Sequence, residues 1–196
     1  MDETRCDWCL SAPDYIQYHD EVWGRPVASS QELFAKLCLD GQQAGLSWLT
    51  ILRKQAGYEA AFAHFDPERI ARFDQADIER LMHERAIVRN RLKIESIIRN
   101  ARGYLALQEE GHEFATWLWQ FVDGRPIINH PHSMADIATT SAESQAMSKA
   151  LKKRGFNFVG PTICYAFMQA VGMINDHFVD CHVRTETVEL ARRFSL

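Results

Sequence analysis

Three groups of residues have types and spacings that could do chemistry. The first is aromatic. Trp8, Tyr15, Tyr18, Trp23 and Trp48 crowd the N-terminal third, next to Asp40-Gly41-Gln42-Gln43-Ala44-Gly45-Leu46-Ser47-Trp48. Rings beside a polar, glycine-containing loop can stack on a nucleobase swung out of a duplex, while polar groups read its edge. A tryptophan face also attracts a cation. Taken singly, each ring is an ordinary core anchor. The second group pairs Cys6, Cys9 and His19 near the start with His177, Cys181 and His182 near the end. His177 and Cys181 are spaced to share a face if that segment is helical. Thiolates and imidazoles together suit zinc better than magnesium or calcium. Six candidates for four positions leave the ligand set open, with Cys6-Asp7-Trp8-Cys9 as a competing C-x-x-C pair. Buried, unreactive cysteines are the alternative reading.

The third group is Met147 to Ala166. A basic helix with Lys149, Lys152, Lys153 and Arg154 stops at Gly155. Phe156, Phe158, Val159 and Gly160 make a tight connection. Pro161 suits the first position of the next helix. Such a hairpin turns backbone N–H groups at a helix N-terminus toward a phosphate, and glycine lets the phosphate come close. The lysines add salt-dependent attraction to nucleic acid. A second basic stretch, Arg89, Arg91, Lys93, Arg99 and Arg102, reads as a solvated helix face. Asp176 is the one carboxylate near the hairpin that could act as a base, although its place beside His177 suggests local structure.

The elements that must hold these groups are helical. Leu33, Phe34, Leu37 and Cys38 follow Ser30, which reads as a cap; Asp66-Pro67-Glu68 reads as a cap with a first-turn proline. The helical pattern recurs over 74–82. It is clearest over 91–108 and returns at Trp117, Leu118, Phe121 and Val122, before Gly124-Arg125-Pro126. Helices are expected over 141–153 and 162–173. Cys38 and Cys164 sit in apolar stripes and read as core. Only Pro126-Ile127-Ile128 hints at extended chain, and 123–140 reads as a loop crossing one face. The expected fold class is all-α, one domain over 1–196.

Composition bounds the rest. The chain has 196 residues, 46% apolar and 24% charged, which excludes collagen, coiled-coil and disordered classes. No run reaches the ~18 apolar residues of a membrane span, so no membrane partner is expected. Nor is a protein partner indicated. The N-terminus lacks the apolar run of a secretory signal, so a cytoplasmic location is expected. Five cysteines favour free thiols or metal ligands over a disulfide frame. A net charge of -4 argues against a general nucleic-acid binder, so any DNA-binding face must be local.

Five ordered motifs bear a resemblance to a known family: Arg5-Cys6-x-Trp8; Tyr15-x-x-Tyr18-His19-Asp20-x-x-Trp23-Gly24; Gly41-Gln42-Gln43-Ala44-Gly45-Leu46-Ser47-Trp48; Ala150-Leu151-Lys152-Lys153-Arg154-Gly155-Phe156-x-Phe158-Val159-Gly160; and Asn175-Asp176-His177-x-x-x-Cys181. Over residues 5–181 the chain resembles the 3-methyladenine-DNA glycosylase I family. The resemblance implies a helix-hairpin-helix glycosylase fold with one structural zinc on Cys6, His19, His177 and Cys181, with Cys9 and His182 as bystanders. It places Tyr15, Tyr18, Trp23, Trp48 and residue 40 around the excised base, beside Trp8, with Trp48 stacking. Gly45 and Leu46 would approach the gap left by the flipped nucleotide, and Lys153, Gly155, Phe158 and Gly160 would hold backbone. The implied partner is alkylation-damaged duplex DNA, and the implied activity is monofunctional, without a lysine Schiff base. Two positions depart from the family. Asp40 stands where the family has glutamate, shorter by one methylene, roughly 1.5 Å. Val22 stands where the family has a second glutamate, directly before Trp23. These departures keep a non-catalytic or altered-specificity DNA-binding module in view. A zinc hydrolase is the third reading, and it would need an open coordination position.

Overall fold

The computed structural model describes residues 3–196, and these form eleven α-helices and two very short strands. In chain order the helices are α1 (Pro13–Glu21), α2 (Ser30–Gln42), α3 (Trp48–Leu52), α4 (Gln55–Ala61), α5 (Pro67–Ile70), α6 (Gln75–Met82), α7 (Arg91–Glu109), α8 (Phe114–Trp119), α9 (Ala142–Lys153), α10 (Pro161–Ala170) and α11 (Arg184–Arg193). The central packing is α2 against α7 and α10, with α9 against α10. Leu33, Phe34 and Leu37 of α2, Ile94, Ile97 and Ala101 of α7, and Phe167 and Met168 of α10 are fully buried. Cys38 and Cys164 lie in this core, as their stripes indicated. No helix among the described residues is long and apolar enough to cross a membrane.

Caps set the helix starts. Asp66 caps α5 ahead of Pro67, and Asp74 caps α6 in a reciprocal box with Asp77. At α2 the cap is Ser29, whose hydroxyl accepts from Glu32 N at 3.3 Å; Ser30 is the first helical residue. The Ser30 hydroxyl instead donates to the Glu113 carboxylate and accepts from Ala115 N, joining the starts of α2 and α8. Helix α10 ends before the expected Met173. Gly172 turns the chain with φ +72°, where a Cβ would lie 2.4 Å from Pro26 N.

The expected extended piece is β1 (Ile127–Ile128), and it pairs in parallel with β2 (Ile174–Asn175). The sequence carries no signal for β2, because two residues are too few for a period. The stretch 123–140 does cross one face, and it contains a 3-10 turn over Met134–Asp136. Segment 176–183 is non-helical, so His177 and Cys181 do not share a helix face. Lys93 also departs from the solvated-face reading. It is buried, and its Nζ donates to the carbonyl of Gln42 (2.7 Å), the last residue of α2, and to that of Ala44 (2.6 Å) in the turn after it. Arg91 meets Glu79, Arg102 reaches Ala71 O, and Arg99 is exposed, as a surface face requires.

Candidate functional site

A cavity of about 400 Å³ opens between α1, α2, α3, α10 and the loop over 134–139. Pro13 starts α1, which places Tyr15 and Tyr18 on its inner side. Ser47 caps α3 through Thr50 N, which turns Trp48, the first residue of that helix, onto the cavity. Trp8 packs edge-on to Trp23 with centroids 4.9 Å apart, and Tyr18 tilts against Trp48 at 5.5 Å. All five expected rings therefore line one cavity, together with Asp40. Met134, Ile137 and Tyr165 close the remaining sides.

Asp40 is 3% exposed. Its Oδ1 accepts from Lys36 Nζ at 2.5 Å, one helical turn earlier, while Oδ2 is buried without a partner. Lys36 Nζ also stands 3.6 Å from the centroid of the Trp48 ring. Burial pushes the Asp40 carboxyl above the ordinary carboxylate range, and the Lys36 ammonium pulls it back. Burial and then the Asp40 charge raise the Tyr18 phenol, which stays protonated. Asp176 lies outside this lining. Its carboxylate accepts from Tyr165 Oη (2.7 Å), Gln169 Nε2 (2.8 Å) and Asn129 Nδ2 (2.8 Å), a saturated structural hub. Val22 is 51% exposed at the end of α1. Glu21 accepts from Gln17 on the outer face of α1, so it does not replace a pocket carboxylate.

Behind the rings, Cys6, His19, His177 and Cys181 converge, with one ligand atom from each within 4.8 Å of all the others. All four are buried. Cys181 Sγ is 3.6 Å from His19 Nε2 and 3.6 Å from His177 Nδ1; Cys6 Sγ is 3.8 Å from His177 Nδ1. The Trp23 carbonyl can only accept, so His177 Nε2, 3.1 Å away, carries the ring proton and Nδ1 offers its lone pair inward. Asp20 Oδ1, 2.7 Å from His19 Nδ1, orients that ring in the same way. A hydrogen bond from Cys6 holds the Cys181 thiol down, with His177 and His19 adding to it, which favours the thiolate, the metal-binding form. The tetrad could hold a metal ion. Cys9 donates to Cys6 O, and His182 meets Asp20; neither belongs to it.

The hairpin stands on α9 and α10. Gly155, φ +83°, ends α9 in a Schellman turn: Gly155 N donates to Lys152 O and Phe156 N to Leu151 O. Asn100 of α7 clamps the turn, accepting from Asn157 N (2.8 Å) and donating to Asn157 O (3.3 Å). Phe158 takes φ +53°, and Gly160 caps α10 before Pro161. Neither Gly155 nor Gly160 has an atom within 4 Å of where a Cβ would be, so both face open space. Lys149, Lys152 and Lys153 are exposed beside them. A Cβ on Gly41 of α2 would lie 3.0 Å from Phe158 O, so hairpin and pocket helix touch directly. Gly45, φ +76°, and the 40%-exposed Leu46 form the open tip between α2 and α3.

Sequence reasoning missed Lys36, Tyr165 and the 134–139 wall. Lys36 had a signal, its i, i+4 spacing to Asp40. The wall had none, because the segment before it is held by long-range contacts, the β1–β2 pairing, Arg184 to Asn129 O and Val179 N to Pro131 O.

The geometry agrees with what the chain is similar to. The Methyladenine glycosylase family model matches residues 8–185. The chain is 49% identical over 177 residues to DNA-3-methyladenine glycosylase 1 of Escherichia coli, covering 90% of this chain and 95% of that one. It is 47% identical over 182 residues to DNA-3-methyladenine glycosylase of Haemophilus influenzae, covering 93% and 98%. The fold superposes with a TM-score of 0.89 on a tyrosine-to-phenylalanine variant of 3-methyladenine DNA glycosylase I in complex with 3-methyladenine, 39% identical, over 92% of this chain and 97% of that one. A match over most of the chain, at such identity and with the same fold, leaves one assignment: the chain belongs to the methyladenine glycosylase family.

Proposed function

We propose that this protein removes 3-methyladenine from alkylated duplex DNA by hydrolysing its N-glycosidic bond. The observation that carries the reading is the unpartnered, buried Oδ2 of Asp40 in a cavity walled by Tyr18 and Trp48. A buried acceptor with nothing to accept from is costly unless a ligand supplies the donor. The amino group of an adenine-type base does so, while Trp48 packs on its face. Relatives named for this activity, and a similar structure holding 3-methyladenine, support the same reading.

The N-terminus of α10 at Gly160, with the uncrowded Gly155 turn and Lys153 beside it, would grip the backbone, while the Gly45-Leu46 tip approaches the space left by the extruded nucleotide. Methylation at N3 makes the base a cation and weakens its bond to C1′. Water oxygen attacks C1′, the C–N bond breaks with its electrons passing to the base, and the base leaves neutral. Water loses its proton to solvent. No lysine forms a bond to the sugar, so the strand stays intact.

The tetrad fits zinc. Tetrahedral bonds of about 2.3 Å to sulfur and 2.0 Å to nitrogen put S and N about 3.5 Å apart, against 3.6, 3.6 and 3.8 Å here. Cys6, His19, His177 and Cys181 would fill all four positions, so the metal supplies rigidity and no hydrolytic water. This weighs against a zinc hydrolase.

The test is release of free base from methylated duplex DNA by wild type and Asp40→Asn. Release by wild type, strongly reduced in the variant, with strands unbroken, is expected. Binding to abasic-analogue DNA without base release would instead identify a non-catalytic module.

A further inference from the structure

A pocket that selects a cationic base needs a counter-charge and an aromatic face. Both are present, and both are already engaged by a resident cation. Lys36 Nζ lies 2.5 Å from Asp40 Oδ1 and 3.6 Å from the Trp48 centroid, with Tyr18 at 6.0 Å. Its side chain is 15% exposed and lines the cavity. The ammonium is therefore placed where the positive charge of an alkylated base would be compensated. Yet the ion pair leaves two groups free to read a base edge. Asp40 Oδ2 has no donor. Lys36 has ammonium protons beyond the one given to Oδ1. An acceptor and a donor side by side match an exocyclic amine next to a ring nitrogen, which adenine-type bases carry whether or not they are charged.

We propose that Lys36 is a specificity-determining residue: its ammonium takes the place of the base's positive charge between Asp40 and Trp48, so the pocket selects an adenine-type base by its amino and ring-nitrogen edge and not by its charge. The inference rests on the base-excision reading and deepens it at the step of base recognition. The pocket then binds uncharged adenine-type bases with the same edge as well as cationic 3-methyladenine, while excision still draws on the weak glycosidic bond of the cation. A cationic base loses part of its advantage, because it meets a like charge at the back of the pocket.

The test uses two compounds of one shape, the permanently cationic 3,9-dimethyladeninium and its uncharged 3-deaza isostere. Binding of each is followed by tryptophan fluorescence in wild type, Lys36→Met and Lys36→Arg. Wild type is expected to bind the isostere at least as tightly as the cation. Lys36→Met should move the affinity ratio about tenfold toward the cation, and Lys36→Arg should keep the wild-type ratio. The same ratio in wild type and Lys36→Met, or a clear wild-type preference for the cation, overturns the inference. Base release from methylated DNA is measured in parallel. Release with an unchanged ratio overturns the inference alone, whereas no release and no binding by any of the three proteins overturns the excision reading and this inference with it.

Discussion

At the scale of single residues, chemistry concentrates on Asp40. Its carboxyl is raised by burial and held back by Lys36 on its own helix. Among the titratable groups nearby, Tyr18 from α1 and Cys164 from α10 hold their own protons more tightly, through burial first and the Asp40 charge after it. An acid whose pKa is raised is protonated first as pH falls. The carboxylate form is the one that can accept from a base. Base release by wild type should therefore decline on the acid side, at a pH above the ordinary carboxylate range. A pH profile of kcat/KM checks this, and Lys36→Met should move that limb to still higher pH by removing the compensating charge. Asp40→Asn, which deletes the charge and keeps the shape, should lower kcat/KM by about 10²-fold, typical of one lost electrostatic contact.

At the scale of elements, the hairpin and the pocket are coupled through α2 and α7. Lys93 of α7 binds the carbonyls of Gln42 and Ala44, and Gln42 is held in turn by Tyr58 and by Lys93 O. Lys93→Met would leave those buried carbonyls without a donor. The expected cost is about 1–3 kcal/mol of stability, read as a lower Tm, with a looser Gly45-Leu46 tip seen as faster amide exchange there. The hairpin's grip is predominantly electrostatic. Lys153→Ala should flatten the slope of log K against log salt by about 0.9 per lost phosphate contact. Measured across salt concentrations, an unchanged slope would place Lys153 away from the backbone.

At the scale of the whole molecule, the tetrad joins segments 171 residues apart, Cys6 and His177. It also forms the back of the aromatic wall: the His177 ring stands edge-on to Trp23 at 4.7 Å. A zinc ion held there, as proposed, would pin both termini and back the pocket, so its removal should loosen both termini and disturb the pocket. With free zinc a thousandfold above Kd, metal linkage contributes about 4 kcal/mol. Chelation or Cys181→Ser should lower Tm accordingly and change tryptophan fluorescence, and elemental analysis should find one zinc per chain in wild type only. The sequence alone determined helices α2, α5, α6, α7, α9 and α10, because apolar residues at helical spacing and polar caps such as Asp66 and Asp74 act within one turn, but its periodicity did not mark α1, α3, α4 or α11. It also determined the chemical types at the site, the rings, the carboxylate, the Cys and His pairs and the glycine hairpin, through the motifs shared with a known family. Short-range patterns could not announce Lys93 as a buried staple, the Asp176 hub, the β1–β2 pairing, the placing of residues 134–139 on the cavity, or the Lys36 ammonium on the Trp48 face. Those follow from which surfaces meet, and long-range packing decides that.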